Sequence, residues 1–152
     1  MTERSIVHST FTIERSYPAA PSRVFAAFGD AEAKAIWADS PEVGPAEGDS
    51  EFDFQAGGRE RFSCAFEGTT YRYDALYYDI VPDQRIIYCY EMYADGARIS
   101  VSVATVDLVP EDGGTRLTYT EQGAYLDDLD MPANRRGGIE EQLDGLVKYL
   151  AR

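Results

Sequence analysis

Few side chains in this sequence are able to do chemistry, and they are unevenly placed. The one histidine, His8, lies near the start of the chain. The two cysteines, Cys64 and Cys89, fall inside runs of strand composition with no CxxC spacing. A single terminal imidazole leaves no Ser/His/Asp or Cys/His nucleophile to assemble and no imidazole metal site. The acidic run Asp127-Asp128-Leu129-Asp130 lacks the spacing of a calcium loop, and no Gly-rich phosphate-binding motif occurs. No cofactor is therefore expected, and no metal.

Carboxylates and phenols remain. Leu117, Tyr119 and Glu121 alternate with Arg116, Thr118 and Thr120, which places Glu121 on the same strand face as an apolar and an aromatic residue. An inward carboxylate costs several kcal/mol unless it is paired, hydrogen-bonded or wet. Either Glu121 has partners inside the molecule or its strand end is open to solvent. Eleven residues are tyrosine, whose flat apolar body and polar tip suit both a strand and the wall of a mixed-polarity cavity. If the protein is an enzyme, Glu121 is the candidate general base, with Tyr88, Tyr90 or Tyr119 donating to a developing oxyanion.

The elements that must hold these groups follow from hydropathy patterning. Ser9–Tyr17 reads as a strand ended by Pro18 and Pro21, after a frayed Met1–Val7. Pro21 opens a short helix with an apolar stripe at Val24, Phe25 and Phe28, which Gly29 stops. Asp30 caps a second short helix carrying Ile36 and Trp37. A Pro/Gly/acidic loop covers 38–50. Strands are then expected at Glu51–Gln55, Arg59–Phe66, Thr70–Ile80, Arg85–Tyr93, Ala97–Leu108 and Thr115–Gln122, joined by Gly-, Pro- and Asp-rich turns. An acidic loop spans 123–134. A closing amphipathic helix runs from about Arg135 to Ala151, its stripe formed by Ile139, Leu143, Leu146, Val147 and Leu150. Gly137-Gly138 in its first turn suggests a close backbone approach or a bend.

Sequential hairpins imply an antiparallel sheet, and the terminal helix must bury its stripe on one face of it. The fold class is α+β, with a curved sheet of six to seven strands around a long C-terminal helix. A curved sheet cannot follow a straight helix along its length, so a ligand cavity is expected between them. The faces nominate its lining. Ile86, Tyr88, Tyr90 and Met92 share one, Phe52 and Phe54 another, and Leu117, Tyr119 and Glu121 a third. Thr70–Ile80 alternates badly: Tyr71, Tyr73, Ala75 and Tyr77 take one side, Leu76, Tyr78 and Ile80 the other. A bulge would exchange the faces there. The candidate ligand-binding set is Trp37, Phe52, Phe54, Tyr73, Tyr88, Tyr90, Met92, Tyr119, Glu121 and Leu143.

With 14 basic and 27 acidic residues the net charge is −13. That argues against nucleic acid and against anionic membrane surfaces as partners. The 152 residues fit a single domain, placed at 9–151. With no apolar run of about 20 residues and no secretory leader, a cytoplasmic protein with reduced thiols is expected.

The runs PSRVFAAFGD, AIWADS, VPDQRIIYCYEM and ISVSVATVDLVPEDGGTRLTYTEQGAYLD, followed by the closing helix, resemble the activator-of-Hsp90-ATPase-like (AHSA1) family of the START/Bet v 1-like (polyketide cyclase-like, SRPBCC) superfamily. Pro21, Val24, Phe25, Trp37, Pro82, Arg85, Gly114, Thr115 and Leu117 fall where that pattern expects them. The resemblance implies a helix-grip fold with a cavity under the terminal helix, and a small hydrophobic, amphipathic or aromatic molecule as ligand. Two alternatives are a small-molecule enzyme of cyclase or hydrolase type and a co-chaperone-like interaction module, for which the loops 38–50 and 123–134 are the candidate surfaces. A protein partner and a homodimer are left open.

Overall fold

The computed structural model describes residues 3–38, the backbone of 44–45, and 50–152. One antiparallel sheet is built from β1 (Ile6–Tyr17), β2 (Gly44–Pro45), β3 (Glu51–Phe52), β4 (Arg59–Phe66), β5 (Thr69–Val81), β6 (Arg85–Ala94), β7 (Ala97–Glu111) and β8 (Gly114–Leu126). The order across it is β1-β8-β7-β6-β5-β4-β2, with β3 also on β4. The helices are α1 (Pro21–Gly29), α2 (Ala31–Trp37) and α3 (Pro132–Leu150). This is the expected α+β arrangement, and α3 is not apolar enough to cross a membrane, nor is any other described helix.

Local chemistry explains the sheet's meander. Glu67-Gly68, Asp95-Gly96 and Asp112-Gly113 all have positive φ at both positions. That is the backbone of two-residue hairpin turns whose twist matches the flanking strands. The register slips between Tyr77 and Asp79, and this bulge resolves the broken alternation of β5. Tyr73, Ala75 and Tyr77 face the helices, Tyr78 is turned out to solvent, and Ile80 is inward again. On β6 the inward set is Ile86, Tyr88, Tyr90 and Met92, and on β8 it is Leu117, Tyr119 and Glu121.

Several boundaries differ from the sequence reading. β1 starts at Ile6, inside the stretch expected to be frayed, and residues 4 and 5 before it are tied down: Arg4 and the Ser5 amide bond the Asp127 carboxylate at 2.9 Å each. β8 continues to Leu126, pairing its extension with Ile6–Ser9, so the expected loop at 123–134 shrinks to the turn before α3. The strand expected at Glu51–Gln55 stops at Phe52, because residues 53–58 form a tight turn in which the Asp53 amide bonds the Arg59 carbonyl. α3 begins one turn early, at Pro132, where proline's missing N–H is an orphan in any case. Most of the 38–50 loop lies outside the described residues.

Glycines set how closely the helices approach. A Cβ on Gly29 would meet the Phe54 ring at 2.8 Å, and one on Gly145 would collide with the Trp37 carbonyl oxygen. Gly145 is thus where α3 crosses α2. Gly137 and Gly138 face open space, so they serve no close approach. Leu143, Leu146 and Leu150 bury the stripe of α3, and the Leu143 carbonyl accepts from the Tyr17 hydroxyl at 3.0 Å. The helix packs mainly on α2 and β1. The concave faces of β4, β5 and β6 are therefore less covered: Phe62 is 40% exposed, and Tyr73, Tyr88 and Met92 are only partly buried.

Candidate functional site

Two buried carboxylates stand on this concave face, one on β8 and one on β4. Glu121 is fully buried. Its Oε1 accepts from the hydroxyls of Tyr90 and Tyr119, each at 2.6 Å, and its Oε2 accepts from Tyr125 at 3.4 Å. The charge is answered by Arg135, whose Nη1 lies 3.6 Å from Oε2. Arg135 itself is 9% exposed and donates to the Tyr90 hydroxyl at 3.1 Å, to Ser100 Oγ at 2.7 Å and to Asp130 at 3.0 Å. One guanidinium thus ties the first turn of α3 to β6, β7, β8 and the turn before the helix. Gly123 is what allows Tyr125 to reach back: a Cβ there would meet the Tyr125 ring at 3.0 Å and Ser102 Oγ at 2.9 Å. Ser102 Oγ is buried and has no protein partner among the described residues.

The second carboxylate, Glu60, is 6% exposed. Its Oε1 accepts from Lys34 Nζ at 2.6 Å and from the Tyr77 hydroxyl at 2.7 Å. Lys34 comes from α2 and also sits over the Phe52 ring, 5.6 Å from its centre. Both carboxylates are therefore paired and hydrogen-bonded, which is what burial of a charge requires.

Between the two ion pairs lies a floor of rings. Phe62 stacks on Tyr73 with centres 5.0 Å apart, and Tyr73 meets Tyr90 at 5.1 Å. Tyr88 lies 5.7 Å from Tyr77 and 6.0 Å from Tyr90. Burial, reinforced by the nearby carboxylates, holds these phenols in the neutral form. Tyr90 and Tyr119 are raised well above the ordinary value of 10.0, mainly by burial. Tyr77 rises by burial and by Glu60, and Tyr125 is pushed up to about 12 by burial and then by Glu121. For Arg135, burial works against the charge, but Tyr90 and Glu121 outweigh it and the net shift is upward.

The structure brings Tyr73, Tyr88, Tyr90, Met92, Tyr119 and Glu121 onto one concave face. Phe52 and Phe54 stack at 6.2 Å beside the Glu60 pair, with Phe54 edge-on to Tyr77 at 5.1 Å. Trp37 sits elsewhere, at the junction of the helices: it is 5% exposed, its indole N–H donates to the Ala27 carbonyl at 2.8 Å, and Phe28 packs edge-on against it. Leu143 is in the seam between α3 and β1, near Tyr17. Two open depressions are described away from the ring floor, one at Pro21, Ser22, Asp83, Gln84, Leu108, Val109 and Pro110, the other at the outer face of β1, β8 and β7. Sequence reasoning missed Arg135, Glu60 and Lys34. Arg135 was findable, since it lies four residues before Ile139 on the apolar stripe of α3. Cys64 and Cys89 are free thiols.

A curved antiparallel sheet gripping a C-terminal helix, with a mixed aromatic and polar interior between them, defines a helix-grip α+β protein. The sequence pattern of the activator of Hsp90 ATPase homolog 1-like (AHSA1) family matches residues 18–151, and the chain belongs to that family. It is similar to an uncharacterized protein from Rhizobium leguminosarum, with 43% identity, a TM-score of 0.92 and coverage of 99% of each chain. The Mll3558 protein from Rhizobium loti is 42% identical with a TM-score of 0.87, over 95% of this chain and 99% of that one. An AHSA1-like protein from Aeromonas hydrophila shares the fold at 21% identity and a TM-score of 0.71, over 94% and 92% of the two chains. No curated protein matches the chain.

Proposed function

We propose that the protein binds a small amphipathic molecule on the concave face of its sheet, between the Glu60–Lys34 and Glu121–Arg135 pairs. The observation that carries this reading is the partial exposure of Phe62, Tyr73, Tyr88 and Met92 on the inner face of the sheet. Rings packed only to close a core would be buried; these form a floor that α3 leaves partly uncovered. A ligand laid on it would remove apolar area from water at roughly 25 cal/mol per Å² and would meet hydroxyls at its edge. Family membership supports a scaffold that varies its interior while keeping its frame.

A catalytic role for Glu121 finds less support, because its carboxylate is already engaged by three phenols and a guanidinium. We read it as the anchor of the site rather than its base. A neutral solvatochromic dye such as Nile red tests the binding reading. It should bind saturably, one per chain, and Phe62→Asp should weaken it by about tenfold or more. Val103→Asp, on the exposed convex face, should not. Equal loss from both substitutions, or from neither, would remove the concave face as the site.

A further inference from the structure

β1 is an edge strand, and its two halves are finished differently. Among the described residues, β8 pairs with it on one side and no strand on the other. The Ser5 carbonyl accepts from the Asp127 amide at 2.8 Å, continuing the β1–β8 ladder. Backbone groups alternate in direction along a strand. Odd-numbered residues therefore bond β8, while Ile6, His8, Thr10, Thr12, Glu14 and Ser16 turn their amides and carbonyls to the open edge.

In the second half this edge is closed by arginines. Arg136 Nη2, from α3, donates to the Thr12 carbonyl at 3.3 Å, and Arg15 Nη1 donates to the Glu14 carbonyl at 2.9 Å. Arg136 also lies over the Phe11 ring, and Arg15 is held by Glu140 and Asp144 of α3. Charged side chains and a covering helix are devices that keep an edge from pairing. The first half has neither. Ile6-Val7-His8-Ser9-Thr10 contains no Asp, Glu, Lys, Arg or Pro, and its register on β8 is unbroken by a bulge. Among the described residues, no group bonds the Ile6, His8 or Thr10 backbone on the open side. Ile6 is 60% exposed and Val7 45%. An uncharged edge of this kind is a template for another strand.

The strand that fits it is its own copy. On a chain of net charge −13 most of the surface repels a second copy, but this stretch brings no charge of its own, and Arg4 beside it is paired with Asp127. Antiparallel pairing about a two-fold axis through His8 sets Ile6 opposite Thr10 of the second copy and His8 opposite itself. Edge-facing groups then meet edge-facing groups, as the hydrogen-bonded pairs of an antiparallel ladder require. The pairing ends where Arg136 occupies the Thr12 carbonyl. The two Thr12 residues, and the α3 helices beside them, stand at opposite ends of the paired stretch, about 26 Å apart along the strand at roughly 3.3 Å per residue, so the helices do not collide. We infer that the protein forms a symmetric dimer in which β1 of each copy pairs over Ile6–Thr10 and joins the two sheets into one. The interface is short, so the dimer is weak and concentration-dependent; it stands or falls independently of the ligand reading.

Sedimentation equilibrium of the full chain over a wide concentration range tests this, with circular dichroism to confirm that each variant is folded. The expected result is a reversible monomer–dimer equilibrium. At the two-fold axis residue 8 faces its own copy, so His8→Lys and His8→Glu should each weaken the dimer by about tenfold or more through like-charge repulsion. An equimolar mixture of the two variants should restore it. Glu14→Gln, in the closed half, should leave it unchanged. A monomer at every concentration, a dimer indifferent to both His8 variants, or a mixture that stays monomeric would overturn the inference.

Discussion

Arg135 carries a disproportionate share of the interior's charge balance. It is the one cation within reach of Glu121 among the described residues, and it also holds Ser100, Tyr90 and Asp130. Removing one partner of a buried pair leaves the other uncompensated, at a cost of about 3–5 kcal/mol. Arg135→Met should therefore destabilise the protein by that order in chemical denaturation followed by Trp37 fluorescence. The double variant Glu121→Leu/Arg135→Met should recover much of the loss, since a buried pair can be replaced by apolar groups at little net cost. Strict additivity of the two single changes would show that the residues do not act as a pair. The buried phenols set a second expectation. Their folded-state values lie above the ordinary 10.0, Tyr125 at about 12 and Tyr90 and Tyr119 raised well above 10.0 by burial. In the unfolded chain they ionise near 10, so above that pH the unfolded state binds fewer protons and stability falls. The contribution is complete below about pH 10 and is lost as pH rises through the folded-state values. Absorbance at the phenolate band should show the exposed tyrosines titrating first and the interior ones only as the fold collapses. Smooth titration of all eleven with the fold intact would contradict this burial.

At the scale of elements, the glycines of α3 separate packing from propensity. Gly137 and Gly138 face open space on the helix surface, while Gly145 lies under the Trp37 carbonyl. Alanine at either of the first two should stabilise by about 0.5–1 kcal/mol. Alanine at Gly145 gains the same propensity but forces α3 away from α2, and should destabilise by about 1–3 kcal/mol. Thermal denaturation of the three variants distinguishes them by sign; a stabilised Gly145→Ala would mean that the crossing is looser than described. The elements themselves were largely legible. Period-two alternation gave β6 and β8 their faces, and the double tyrosine at 77–78 marked the bulge by the failure of alternation. What could not be read was where a side chain reaches across the sheet. Glu121 was visible as an inward carboxylate and Arg135 as a position on the α3 stripe, but not that the two meet, and Lys34 meets Glu60 only because α2 lies over β4. Contacts distant in sequence leave no periodic signature. Trp37 was expected at the ligand, yet its indole N–H is taken by Ala27 inside the helix pair.

For the whole molecule, the frame and the interior obey different constraints. The frame is over-determined: hairpin turns with positive φ, the β1–β8 pairing and the leucines of α3 all specify the same curved sheet and helix. Among the described residues, the interior carries two ion pairs, a row of tyrosines and a Ser102 hydroxyl with no protein partner, an arrangement that a merely structural core would replace with leucine and valine. We read that polar interior, with its partly uncovered rings, as a binding surface. Native mass spectrometry of the purified protein against its denatured mass addresses this most directly. The account predicts a non-covalent adduct, or one formed on adding a small amphipathic aromatic compound, that disappears on denaturation. A bare mass under both conditions, with no change in melting temperature across small amphipathic compounds, would contradict it.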